Sequence, residues 1–167
     1  MKAIIMKKVK RILALLLAAA ALVSLMTVIA YAANTMDSEF LIGVAGHGNY
    51  IELPARQKEN STAVYFYTKT ASGVNNLQRS NTFHVTVWGY SNETLTNSAN
   101  FTIVDGRIVP YVTCRVGTKY SISTTAYHAG YPYVALKIDN GNPDITNTTV
   151  VSGVWSPDST KEYTPAT

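Results

Sequence analysis

The chain has one cysteine among its 167 residues, no long run of acidic charge, and few charged residues of either sign. A single thiol forms no internal disulfide, so packing alone must hold the fold. No G-x-S-x-G, H-E-x-x-H or glycine-rich phosphate loop is present, which removes the common signatures of hydrolases, zinc peptidases and nucleotide binders. Carboxylates are sparse and scattered, which argues against a glycosidase pair. Beyond residue 32 the chain has little Lys or Glu and no convincing helical period, which argues against a helical fold.

The basic excess is itself local. The formal charge is +4, from 14 basic and 10 acidic residues. Lys2, Lys7, Lys8, Lys10 and Arg11 account for five of those basic residues. An uncharged stretch from Ile12 to Ala30 follows, closed by Ala30-Tyr31-Ala32. A basic head, an apolar body and a small-x-small end form an export signal, with cleavage expected after Ala32. The rival reading is an uncleaved anchor, because the stretch 12–30 approaches the ~20 residues that span a bilayer. Membrane contact is expected only through this segment, if it stays uncut. Residues 33–167 carry nine basic and ten acidic side chains, a net charge of −1, so a basic nucleic-acid surface is not expected.

What remains is rich in Thr, Ser, Asn, Tyr and Val, the composition of strands and turns. Asn81 to Tyr90 is the clearest strand. Phe83, Val85 and Val87 alternate with His84, Thr86 and Trp88, a period of two that gives one core face and one outer face. Similar runs cover Phe40–Val44, Tyr50–Leu53, Thr62–Thr70, Phe101–Val104, Ile108–Val116, Lys119–Tyr127, Tyr133–Ile138 and Thr148–Trp155. Asp105-Gly106 between two apolar runs predicts a tight hairpin. Arg56, Lys58 and Glu59 read as a charged connection, and 72–76 as a turn. Cys114 is expected to be buried and inert, on a face shared by Ile108, Pro110, Val112 and Val116. Four N-x-S/T triplets, at Asn60, Asn92, Asn100 and Asn147, read as turns and strand entries rather than glycosylation sites. The pattern predicts an all-β, antiparallel β-sandwich of roughly eight or nine short strands, preceded by an N-terminal signal-peptide helix. The expected organisation is a signal over 1–32, a flexible start over 33–38, one sandwich domain over 39–160 and a flexible tail over 161–167.

Several scattered pieces carry a resemblance: Val64-Tyr65, Trp88-Gly89, Gly117-Thr-Lys-Tyr120, Ala126-Tyr127, Gly130-Tyr131 and, most specifically, Ser152-Gly-Val-Trp-Ser-Pro-Asp-Ser159. Together with the export signal, they resemble a family of small secreted Gram-positive bacterial proteins known only as a domain of unknown function. The resemblance implies export and a compact β domain, and it assigns no activity and no catalytic residue.

His47, His84 and His128 are too far apart for a local zinc motif, and the expectation is three independent histidines. Asp139-Asn-Gly-Asn-Pro-Asp144 is read as a turn, because it lacks the spaced acids of a calcium loop. No metal, cofactor or catalytic residue is expected. The aromatic residues are the candidate site: Trp88, Tyr90, Tyr127, Tyr131 and Tyr133 are the predicted ligand contacts, since rings on a rigid sheet stack on sugars or line peptide grooves. The expected function is a secreted, non-enzymatic binding module for cell-wall glycan or an extracellular peptide. The alternatives are a small secreted hydrolase or inhibitor with a site built from distant residues, and an antimicrobial or toxin-like β protein.

Overall fold

A computed structural model describes residues 35–73 and 80–167. The expected signal helix and the far half of the 72–76 turn lie outside these residues. Among the described residues there is no helix. Within these residues thirteen strands form two sheets, and seven of the strands have four residues or more. The others are two- or three-residue pairings that sequence periodicity cannot register.

The first sheet is ordered β1 (Ser38–Val44), β12 (Thr149–Ser156), β4 (Val64–Gly73), β10 (Lys119–Thr124), β7 (Thr102–Val104) and β8 (Arg107–Ile108). β13 (Thr164–Pro165) adds to β10 in parallel, and every other strand pair among the described residues is antiparallel. The second sheet runs β2 (Ile51–Glu52), β11 (Tyr133–Asn140), β5 (Thr82–Tyr90) and β6 (Ala99–Asn100). β3 (Arg56–Gln57) lies beside β11, and β9 (Val112–Arg115) beside β5. The architecture is the expected antiparallel sandwich.

The core lies between the sheets, as alternation predicts. Phe83, Val85 and Val87 of β5, with Val134, Leu136 and Ile138 of β11, have no solvent exposure and face Val64, Phe66, Ile122, Val151 and Trp155. Each such side chain stabilises by about 1.5–3 kcal/mol through burial. Cys114 is in this core, and desolvation pushes its thiol far above the usual range, so it is inert at neutral pH. The Asp105-Gly106 hairpin forms between β7 and β8, with φ of 49° and 75° at its two central residues. Positive φ at both positions is the type I′ geometry.

Several local expectations change. Ile108–Val116 is not one strand. Pro110 has no N–H to give to a ladder, so the chain leaves β7 after Ile108 and restarts at Val112 against β5. Val112 and Cys114 are buried as expected, whereas Ile108 and Pro110 face solvent. Lys58 is not part of a solvated connection: its side chain and that of Asp158 are both 0% exposed, 2.9 Å apart. The segment expected to form a flexible tail, 161–167, is paired instead: β13 adds to β10, Thr113 donates its N–H to the Thr167 carbonyl, and Ala166 is buried in the core. Three of the four glycosylation-like triplets order local backbone: Asn60 and Asn92 in turns and Asn100 at the end of β6 each accept a backbone N–H two or four residues on.

The closing motif is explained by this packing. At Gly153 a bulge brings Tyr67 and Phe40 so close that a Cβ would meet the Tyr67 carbonyl at 2.3 Å and the Phe40 ring at 2.5 Å. Trp155 fills the core at 2% exposure. Ser156 donates to the Asp158 carbonyl at 2.5 Å, and the Pro157 carbonyl accepts from Lys58 Nζ at 2.6 Å. The motif ties the end of β12 to the segment following β3.

Candidate functional site

The outer face of the second sheet carries a compact group of polar and aromatic side chains. Register puts them there. β5 and β11 pair so that Asp139 lies opposite His84, Lys137 opposite Thr86, Ala135 opposite Trp88 and Tyr133 opposite Tyr90. With Phe83, Val85 and Val87 turned inward, alternation sends all of these outward.

The centre is a recess of about 200 Å³ lined by Tyr50, His84, Thr86, Trp88, Pro110, Tyr111, Lys137 and Asp139. Lys137 Nζ sits 3.4 Å from the centre of the Trp88 ring and 4.8 Å from that of Tyr50. Both rings offer their negative faces to the ammonium. Glu52 Oε2 is 3.8 Å from the same Nζ, and its other oxygen accepts the Tyr90 hydroxyl. Burial, reinforced by that hydrogen bond to a carboxylate, raises the Tyr90 phenol well above its ordinary range. A polar chain therefore runs Tyr90–Glu52–Lys137–Trp88 across three strands. Thr86 Oγ1 donates to the Pro110 carbonyl at 2.9 Å, which seats the connection after β8 against the sheet.

At the other end, the His84 ring stacks on Tyr111 with centroids 3.7 Å apart. Desolvation lowers the His84 pKa, against the opposing pull of Asp139. His47, from the turn after β1, meets His84 edge-on at 5.6 Å. Asp139 presents Oδ1 3.8 Å from His47 Nδ1 and Oδ2 3.8 Å from His84 Nδ1. The three histidines are thus not independent: two converge on one carboxylate, and His128 stands apart against Tyr127, with ring centroids 5.9 Å apart.

The predicted contact residues divide. Trp88 lines the recess. Tyr90 and Tyr133 lie on the same sheet face at paired positions, but Tyr90 is buried and Tyr133 half-buried. Tyr131 packs on Phe101, with centroids 4.7 Å apart, against the core. Tyr127 is exposed on the connection between β10 and β11, and neither it nor Tyr131 lines the recess. Tyr50, Tyr111, Lys137 and Asp139 were not among the predicted contacts. Their signal is strand pairing, which a single sequence does not display.

The turn expected over Asp139–Asp144 is confined to residues 141–144, because Asp139 and Asn140 are the last residues of β11, paired with His84 and Phe83. Asn140 and Asn142 spend their side-chain oxygens on the N–H groups of Asn142 and Asp144. A larger recess of about 520 Å³ lies beside the C-terminal segment, lined by Thr62, Ser121, Ser123, Lys161, Glu162 and Tyr163 among others. It has one ring and no converging titratable cluster, so the chemistry is concentrated at the second sheet.

No curated protein and no solved structure matches the chain. The family model described as protein of unknown function (DUF2712) matches residues 26–159. That span takes in every described strand except β13, together with the recess and the closing motif, and the chain belongs to this family.

Proposed function

We propose that the chain is exported, is cut after Ala32, and acts outside the cell as a non-enzymatic binding module for cell-wall glycan. The observation that carries this reading is the recess walled by Trp88, Tyr50 and Tyr111. Tyr50 and Tyr111 are exposed, so ring surface is open to a partner. At about 200 Å³ the recess is smaller than the ~300–1,000 Å³ of whole-ligand pockets, and suits one unit of a polymer. The apolar face of a sugar stacks on the tyrosines, its hydroxyls reach Asp139, His84 and Thr86, and an acidic substituent meets Lys137.

The test is co-sedimentation of the protein with purified cell wall, and titration with soluble wall fragments and peptides. Wild type binds the wall, and Trp88→Ala and Tyr111→Ala each reduce binding at least tenfold. Binding that survives both substitutions refutes the recess reading, and binding to peptides alone moves the module to that ligand class. Terminal sequencing of the same protein from the medium should begin at Ala33; a chain starting at Met1 in the membrane fraction supports the anchor instead.

The convergence of His47 and His84 on Asp139 favours a second reading, a small hydrolase. A carboxylate beside an imidazole is the base and its orienting group in nucleophilic catalysis. The one hydroxyl among the residues lining the recess besides Tyr is that of Thr86, already donating to Pro110. Binding is therefore the stronger reading.

A further inference from the structure

We propose that His47, His84 and Asp139 form a binding site for a divalent first-row transition metal of the zinc class. The three residues come from separate segments: the turn after β1, the outer face of β5 and the outer face of β11. One donor atom from each lies within 4.8 Å of the other two. The arrangement is set by the fold, since Asp139 is the direct ladder partner of His84.

The donors have capacity to spare. Both imidazole–carboxylate separations are 3.8 Å, beyond hydrogen-bond length, and Asp139 Oδ1 otherwise takes a long 3.4 Å contact from Gly48 N–H. Two rings and a carboxylate face one another without closing on one another. A cation at their centre would satisfy all three.

Donor chemistry selects the ion. Two imidazoles and one carboxylate suit zinc, copper or nickel, whereas calcium and magnesium take oxygen shells. No thiolate takes part, because Cys114 faces the core. Three protein donors with a fourth position open is the pattern of zinc sites that also hold water or a ligand. Here His84 and Asp139 also line the recess, so a ligand seated there lies beside the metal.

Tetrahedral coordination at about 2.0–2.1 Å puts donors ~3.4 Å apart, so separations of up to 4.8 Å must close by as much as about 1.4 Å. His47 can make that move. Its side chain is 42% exposed, on a turn bounded by Gly46 and Gly48. His84, at 12% exposure and stacked on Tyr111, stays in place. His47 Nδ1 donates to the Asn140 carbonyl at 2.8 Å, and the ring either keeps that bond and presents Nε2 or releases the proton on coordination. A metal-bound histidine held by a backbone carbonyl through its other nitrogen is the usual orienting arrangement.

The probe is zinc chloride, added to the untagged full-length protein after exhaustive chelation. Equilibrium dialysis should give one ion per chain at micromolar free zinc, with a rise in the unfolding midpoint. His47→Ala alters an exposed turn, so it should fold normally while weakening zinc at least tenfold and losing the thermal shift. His84→Gln and Asp139→Asn should do the same, and His128→Ala should bind as wild type. Cobalt substitution should add visible bands in wild type and none in His47→Ala. Failure of wild type to bind stoichiometric zinc overturns the proposal, and so does undiminished binding by His47→Ala. These readouts use no glycan, so they stand or fall apart from the binding-module reading.

Discussion

Replacing Lys58 by Ala should be among the most damaging single changes in this domain, although the sequence around it reads as a polar connection. The Lys58 ammonium has three acceptors: Asp158 Oδ1 at 2.9 Å, the Pro157 carbonyl at 2.6 Å and the Thr62 carbonyl at 2.7 Å. Asp158 gives its other oxygen to the Glu59 N–H at 3.0 Å. The pair joins segments 100 residues apart. Burial works against the charge and lowers the Lys58 pKa, and Asp158 offsets part of that cost. Truncating Lys58 takes one donor from a buried carboxylate, one from the buried Pro157 carbonyl and one from the half-buried Thr62 carbonyl. Breaking a buried pair from one side costs about 3–5 kcal/mol, against ~5–15 kcal/mol for a whole domain. For a domain of this size that is a fall in unfolding midpoint of roughly 10–20 °C. Lys58→Met combined with Asp158→Leu removes both charges and should cost less than Lys58→Ala alone, about 1–3 kcal/mol for the carbonyls left behind. Thermal and urea unfolding of the single and double variants form the necessary cycle. A Lys58→Ala protein within about 1 kcal/mol of wild type, or a double variant worse than the single, would refute the reasoning.

Two further predictions concern the aromatic residues. Trp155→Ala should cost about 3–5 kcal/mol, as the ring is 2% exposed in the core. Trp88→Ala, on the outer face, should cost about 1 kcal/mol, the scale of its contact with Lys137; paired thermal unfolding that ranks them the other way would reverse the two faces. Burial raises the Tyr65 phenol to about 12, so the neutral form is favoured in the fold. Its contribution to stability is complete below the unfolded value near 10 and is lost as pH rises through about 12. Tyr65→Phe should therefore soften the alkaline loss of stability, and an unchanged alkaline unfolding profile would sink this assignment.

The parts of the fold legible in the sequence are those that depend on neighbours a few residues apart. β5 reads correctly because Phe83, Val85 and Val87 alternate with polar residues, and the β7–β8 turn because Asp105-Gly106 meets a local demand for positive φ. Lys58 is misread because its partner is 100 residues away, and a charge beside Arg56 and Glu59 looks solvated until Asp158 is placed against it. Tyr90 has the right period for an outer face, yet Glu52 and the neighbouring strands cover it, since facing outward from a sheet is not the same as facing water. The candidate site suffers most from this limit. His84 and Asp139 become neighbours only when β5 pairs with β11 in one register, and a slip of one residue would send His84 into the core and Val85 outward. The Ser152–Ser159 motif shows the converse: it is easily seen and carries the family resemblance, but its glycine, tryptophan and aspartate are occupied by packing and the buried ion pair. It closes the first sheet, while the recess lies on the outer face of the second. Substitutions at Trp88, Tyr111, Lys137 and the two histidines therefore test the proposed binding, and substitutions in the motif test stability.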